Sequence, residues 1–239
     1  INISHVSRTG EVRLTVVTKR DSSYRFFSNV SDVINSHGLV SNRKYVEQFA
    51  NGRTAYAFYF KDLKKKALVQ ELVEDISLIY VIPESPLSSL FREGKLSAQE
   101  TVFGVSAWSF AHQFLSGYNE EYLRLAEALK DSPELLGILR HLKTKLVKDT
   151  YTEARVWDAF LENHEAVKKL FRLFDRKFSP ASPDREINKD LEALKKDIAV
   201  NLPVEIDRDI FLAVCAFIEA VLKTNFYVKE KTSLAYMYD

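Results

Sequence analysis

Between residues 12 and 82 the spacing of apolar residues moves back and forth between a period of two and a period of three to four, and that order restricts the fold more than any one residue. Val12 to Thr18 is a β-rich run. Asp21, Ser22 and Ser23 then offer helix N-caps ahead of Tyr24 to Ser36, where Phe27, Val30 and Ile34 recur at helical spacing until Gly38 supplies a left-handed stop. Val40 to Phe49 and Arg53 to Phe60 are extended segments joined at Ala50, Asn51 and Gly52, a hairpin signal. Leu63, Ala67, Leu68, Leu72 and Val73 trace a second helix, and Ile76 to Ile82 reads as a final strand ended by Pro83.

The order is βαββαβ, which right-handed crossovers wrap into a four-stranded antiparallel sheet with both helices on one face, the ferredoxin-like arrangement. Aromatic residues on both sides of Arg53 to Phe60 indicate that the second sheet face is covered too, by a copy of the module or by helices downstream. Beyond Pro86 the strand signals fade. Helices are expected over Leu96 to Ser116, from Tyr122 to Leu129 and over Leu135 to Val147. A long amphipathic helix over Thr152 to Phe178, Ile187 to Val200 and Ile206 to Phe226 follow, before a strand-like stretch from Tyr227 to Tyr238. The fold class is therefore α+β: a βαββαβ module over 8–85, a helical domain over 86–226 and the start of a strand over 227–239.

Composition closes several functional classes. Lys plus Arg number 34 against 33 for Asp plus Glu, a formal charge of +1 that supplies no field for nucleic acid or anionic lipid. The densest basic cluster, Lys61 with Lys64, Lys65 and Lys66, opens a helix and reads as a solvated face. The apolar run Ile210 to Ile218 falls short of the roughly 20 residues of a membrane helix, and no membrane partner is expected. The single cysteine, Cys215, lies in that run as a buried small hydrophobe, which suits a reducing, cytoplasmic setting. A chain that opens on Ile1 and carries its only methionine at Met237 is expected to be a piece of a longer one.

Catalytic machinery is expected to be absent. The seven glycines never come closer than ten residues apart, so no glycine-rich turn exists to close on a phosphate. The five histidines form neither HxH nor HExxH; His164-Glu165 has Lys168 where the second histidine would stand, and no metal is expected. Gly104-Val105-Ser106 lacks the second glycine of a nucleophile elbow. Glu120 with Glu121, and Asp207 with Asp209, read as helix-start carboxylates in polar surroundings. The turn Lys19 to Ser23 stands apart: amides at a helix start beside Asp21, Ser22 and Ser23 are able to receive the carboxylate of a small effector, although ordinary capping explains them as well.

The stretches Arg8 to Leu14, Phe26 to Asp32 and Arg43 to Gly52 resemble the amino-terminal region of large NAD-dependent glutamate dehydrogenases. Lys223-Thr224-Asn225-Phe226-Tyr227, followed by Lys231 to Tyr236, is similar to the same family's segment just before its catalytic core. The βαββαβ module is similar to ACT domains, which bind amino acids at module interfaces. The resemblance implies a parent enzyme that oxidises L-glutamate to 2-oxoglutarate and ammonium with NAD, cytoplasmic or, in a eukaryote, mitochondrial. It implies catalytic and NAD-binding residues beyond Asp239, none of them in this chain. This segment would then regulate or assemble the enzyme, with the catalytic core of the same polypeptide, further copies in a homo-oligomer and an amino-acid effector as partners. The competing expectation is a self-standing ACT-like adaptor that senses a ligand and binds a protein through its helical body.

Overall fold

The computed structural model describes residues 1–19, 26–61, 63, 66–78, 85–117, 120–146, 150–181, 187–228, 231 and 233–239. It is a mixed α/β chain with a small antiparallel sheet and, among the described residues, ten helices. Two compact units divide it: residues 1–102 with 224–236, and residues 103–223 with 237–239.

The first unit is built on strands β1 (Asn2–Val6), β2 (Glu11–Lys19), β3 (Arg43–Gln48) and β4 (Arg53–Phe60), in the spatial order β1-β2-β4-β3 and antiparallel throughout. Leu14 stands opposite Phe58, Val12 opposite Phe60 and Val16 opposite Tyr56, so the even-numbered residues of both central strands point to one face. That face is the core. Phe26, Val30, Val33 and Ile34 of helix α1 (Phe26–Ser36), with Leu72 and Ile76 of helix α2 (Lys66–Leu78), pack on Leu14, Val16, Phe58 and Phe60.

The turn chemistry read from the sequence holds. Phe49 N–H donates to the Arg53 carbonyl at 2.8 Å and Gly52 N–H to the Phe49 carbonyl at 3.0 Å, a three-residue loop closed by Gly52 at φ 76°. Gly38 ends α1 at φ 68°, with its N–H on the Asn35 carbonyl at 2.9 Å and the Leu39 N–H on the Ile34 carbonyl at 3.1 Å. This paired closure, with Leu39 packed back on the core, satisfies the carbonyls that a helix end leaves open.

The edge of the sheet departs from expectation. Ile76, Ser77 and Leu78, read as the opening of a strand, are the last turn of α2, and 79–82 lie outside the described residues. Ile76 falls four residues after Leu72 on the same buried stripe, and packing against the sheet overrides its β-branched preference for a strand. The place beside β2 that a ferredoxin-like order gives to a strand following the second helix is held by β1, with Ile3 opposite Leu14 and Asn2 opposite Thr15. β1 enters through a hairpin ended by Gly10 at φ 69°.

After α3 (Leu87–Arg92), helix α4 (Ala98–Gly117) starts with a reciprocal cap: Glu100 N–H donates to Ser97 Oγ at 3.2 Å, and Ser97 N–H donates to Glu100 Oε2 at 2.7 Å. The second unit continues α4 and adds α5 (Glu120–Ala128), α6 (Pro133–Leu146), α7 (Glu153–Glu162), α8 (His164–Phe178), α9 (Asn188–Asn201) and α10 (Glu205–Ala220). Pro133, which interrupts the sequence pattern, is the first residue of α6, a position that has no amide bond to lose. Its core centres on Phe103, whose ring lies 5.0 Å from Phe174, 5.7 Å from Phe171 and 6.3 Å from Phe217.

Two helix ends here differ from the sequence reading. Thr152 to Phe178 is two helices, broken at Asn163, whose φ of -111° and ψ of 41° leave the helical region. The Asn163 amide turns back to the Ala159 carbonyl at 3.0 Å and across to Asp207 Oδ2 at 3.1 Å, an alternative to backbone continuation that asparagine offers. Helix α10 stops at Ala220 rather than running to Phe226, and β5 (Val221–Thr224) follows, pairing with β6 (Tyr236–Tyr238). Lys177 Nζ donates to the carbonyls of Ile218 at 2.7 Å, Glu219 at 3.0 Å and Val221 at 2.8 Å, which closes the helix without glycine.

Asp207 also departs from the polar surroundings expected of it: it is 3% exposed, ion-paired to Arg155 and hydrogen-bonded by Asn163. Asp209 accepts from Tyr151 Oη at 2.7 Å. Arg155 is partly exposed but Asp207 is not, so removing the arginine leaves a buried carboxylate with Asn163 alone, at a cost of about 3 kcal/mol. Arg155→Met is therefore expected to lower the urea midpoint of the chain sharply, whereas Lys130→Met, in an exposed pair with Glu127, should leave it nearly unchanged.

Candidate functional site

The turn assigned to a small effector, Asp21, Ser22 and Ser23, lies outside the described residues; β2 finishes at Lys19 before it and α1 starts at Phe26 after it. Among the other residues singled out in the sequence, Gly104 and Ser106 lie inside α4. Cys215 is buried in α10, where desolvation pushes its thiol up to about 12, far from a thiolate at neutral pH. His164 Nε2 stands 3.6 Å from Glu165 Oε1, and Lys168 Nζ stands 2.7 Å from the same oxygen, a surface helix pair. No group of three or more His, Cys, Asp or Glu is placed to hold a metal among the described residues, and no described helix is long and apolar enough to cross a membrane.

Two polar couplings were not legible in the sequence. The Tyr151 hydroxyl is pushed up to about 12 by desolvation and by its bond to Asp209, so it remains a donor. His37, one residue past α1, meets Asp75 of α2 at 2.9 Å, and 38 positions separate them in the chain.

One feature with the shape of a site is the sheet face opposite α1 and α2. Strand register sorts its side chains into rows. Arg43, Tyr59 and Arg13 form one, Tyr45, Ala57, Thr15 and Asn2 the next, and Glu47, Ala55 and Val17 the third. Small residues along the middle of β4 leave a concavity of about 730 Å³ between the larger flanking groups. Tyr45 and Tyr59 meet edge to face at 5.6 Å, and the Arg43 guanidinium lies 4.6 Å from the centre of the Tyr59 ring while also pairing with Glu11. Arg13 Nε and Thr15 Oγ1 are buried in this face with no hydrogen-bond partner. The surface combines aromatic area, cationic groups and unsatisfied polar atoms, which suits binding rather than bond-making chemistry.

Among the described residues, the positive-φ glycines 10, 38, 52 and 94 sit in hairpin turns or at helix ends, and none of them follows a strand and opens a helix as a dinucleotide-binding turn requires.

The His37 contact has a pH signature. The hydrogen bond that His37 donates to Asp75 raises the imidazole above its ordinary 6.5 against the opposing effect of burial, with the charges of Asp75 and Glu71 adding to it. A raised folded value means that the pairing contributes fully below 6.5 and fades as pH climbs through the raised value. Urea unfolding from about pH 5.5 to about pH 8.5 should show stability declining with pH, and His37→Gln should flatten that slope.

Residues 1–93 match the family model described as NAD-specific glutamate dehydrogenase, second domain. Glutamate dehydrogenase 2 of Dictyostelium discoideum is 35% identical over 97% of this chain and 23% of its own length. An NAD-specific glutamate dehydrogenase of Neurospora crassa is 30% identical over 99% of the chain and 24% of its own length, and one of Saccharomyces cerevisiae is 20% identical over 98% and 24%. The chain spans about a quarter of the length of these curated relatives. By these matches, the chain resembles the N-terminal region of NAD-specific glutamate dehydrogenases.

Proposed function

We propose that this chain is the regulatory and assembly segment of an NAD-dependent glutamate dehydrogenase, non-catalytic itself. The parent enzyme would convert L-glutamate and NAD to 2-oxoglutarate, ammonium and NADH in the cytoplasm, or in the mitochondrion of a eukaryote. The observation that carries this reading is 35% identity along 97% of the chain to a relative of which that match covers only 23%. The remaining length leaves room for a nucleotide-binding core that this chain's glycine spacing does not supply.

The regulatory part of the proposal draws on the first unit. The antiparallel neighbours β2, β4 and β3, with α1 and α2 on one face and β1 beside β2, support the reading of this unit as ACT-like. An amino-acid effector received at Asp21, Ser22 and Ser23 would act by its different affinity for two arrangements of the enzyme, and only to the extent of that difference. The catalytic core of the same polypeptide and further copies of it are the partners.

In the longer enzyme, replacing Asp21, Ser22 and Ser23 together by alanine should leave glutamate oxidation intact and weaken the response to amino-acid effectors about tenfold, the loss of one or two hydrogen bonds to a charged ligand. An enzyme whose effector response is unchanged would remove the regulatory role of this turn. NADH formation by the isolated chain in the presence of glutamate would remove the non-catalytic reading altogether.

A further inference from the structure

The open sheet face carries more than a general capacity to bind. We infer that two copies of this chain meet on it face to face, about a two-fold axis that runs parallel to the sheet midway between the two facing copies, perpendicular to the strands and over the row Tyr45, Ala57 and Thr15. This inference deepens the assembly role proposed above by naming the surface and its occupant.

The register supplies the argument. Rotation about that axis lays the row Arg43, Tyr59 and Arg13 of one copy on the row Glu47, Ala55 and Val17 of the other. Arg43 then faces Glu47 of the second copy, and the reverse pair forms by symmetry. A guanidinium already paired with Glu11 keeps donors for another carboxylate. Tyr59 comes over Ala55, so the largest side chain of β4 in this face meets one of its two smallest, in both directions. Ala57 and Thr15 lie under the axis, so each row of one copy crosses the same row of the other at small side chains that let the two sheets approach. Tyr45 at 52% exposure, Val17 at 47% and Phe49 at 45% are the apolar area that such a contact removes from water.

Size bounds the contact. Four strands about 4.8 Å apart and roughly six residues long give a footprint near 20 by 20 Å per copy, so the pair buries roughly 800 Å². That is the range of weak, transient contacts, so the dimer is expected to form only as concentration rises. The competing contact, side-by-side pairing through the exposed edge strand β3, is disfavoured by Lys44. It points to the helix side, donates to Ser31 Oγ at 3.1 Å and sits over the rings of Phe27 and Phe58, an inward charge of the kind that discourages edge pairing.

The 239-residue chain itself serves for the test. Sedimentation equilibrium should show a concentration-dependent dimer that Ala57→Glu, which sets two carboxylates on the axis, weakens more than tenfold. Thr15→Cys should give a disulfide-linked dimer under mild oxidation, while Lys44→Cys, on the other face, should not. A chain that is monomeric at millimolar concentration overturns the inference, as does a dimer indifferent to Ala57→Glu. Cross-linking through Tyr45→Cys without cross-linking through Thr15→Cys would assign the contact to the β3 edge instead. A monomer whose Val17→Cys thiol resists modification, although Val17 is exposed on this face, would assign the face to the chain's own helices. None of these outcomes touches the effector response of the longer enzyme, so the two proposals fail separately.

Discussion

Leu14 and Phe58 stand opposite one another on the two central strands, and both are fully buried. Most of the first unit follows from that contact. It places the even residues of β2 and β4 against α1 and α2, which leaves Arg13, Thr15, Ala57 and Tyr59 on the other side of the same strands. A slip of one residue would exchange the two faces, and burying Phe58 alone is worth roughly 2 to 3 kcal/mol in favour of the observed register. The Phe27 ring stacked on Phe58 at 5.5 Å and Phe26 against Tyr56 at 5.0 Å tie α1 to the same register.

The second unit depends on polar closure as much as on its aromatic centre. Where α7 gives way to α8, the freed backbone is compensated by Asn163, which also reaches Asp207, and Asp207 in turn holds Arg155. Where α10 ends, three carbonyls are taken by Lys177, whose ammonium is lowered from its ordinary range by desolvation. Both closures join segments distant in sequence, 44 positions for Asn163 with Asp207 and 41 for Lys177 with Ile218. They link helix termination to the packing of whole helices.

These distances explain what was readable in advance. The hairpin at Asn51-Gly52, the stop at Gly38 and most helices of the second unit were expected from residues a few positions apart. The break at Asn163 is hidden in the sequence because an asparagine within an amphipathic pattern looks like any polar helical residue until a partner such as Asp207 is known. The burial of Asp207 is hidden for the same reason. Ile76 to Leu78 have the composition of a strand, since β-branched and apolar residues in a short run favour one unless a helical stripe claims them. The open face was legible as a consequence of alternation along Arg53 to Phe60, but its rows were not, because rows depend on which residue of β3 stands beside which residue of β4.

By itself, then, the sequence determined that helices and an antiparallel sheet occur together, where the hairpin at Gly52 and the stop at Gly38 fall, and the positions of most helices, because each is written in periodicity or in the conformational limits of single residues. The tertiary structure alone decided that β1 occupies the place beside β2, that α2 runs through Leu78, and that α7 and α10 end where they do. It also decided that Arg13, Thr15, Ala57, Tyr45 and Tyr59 share one surface. Each of these rests on a contact between residues far apart along the chain, and no local preference encodes a partner that only folding brings near.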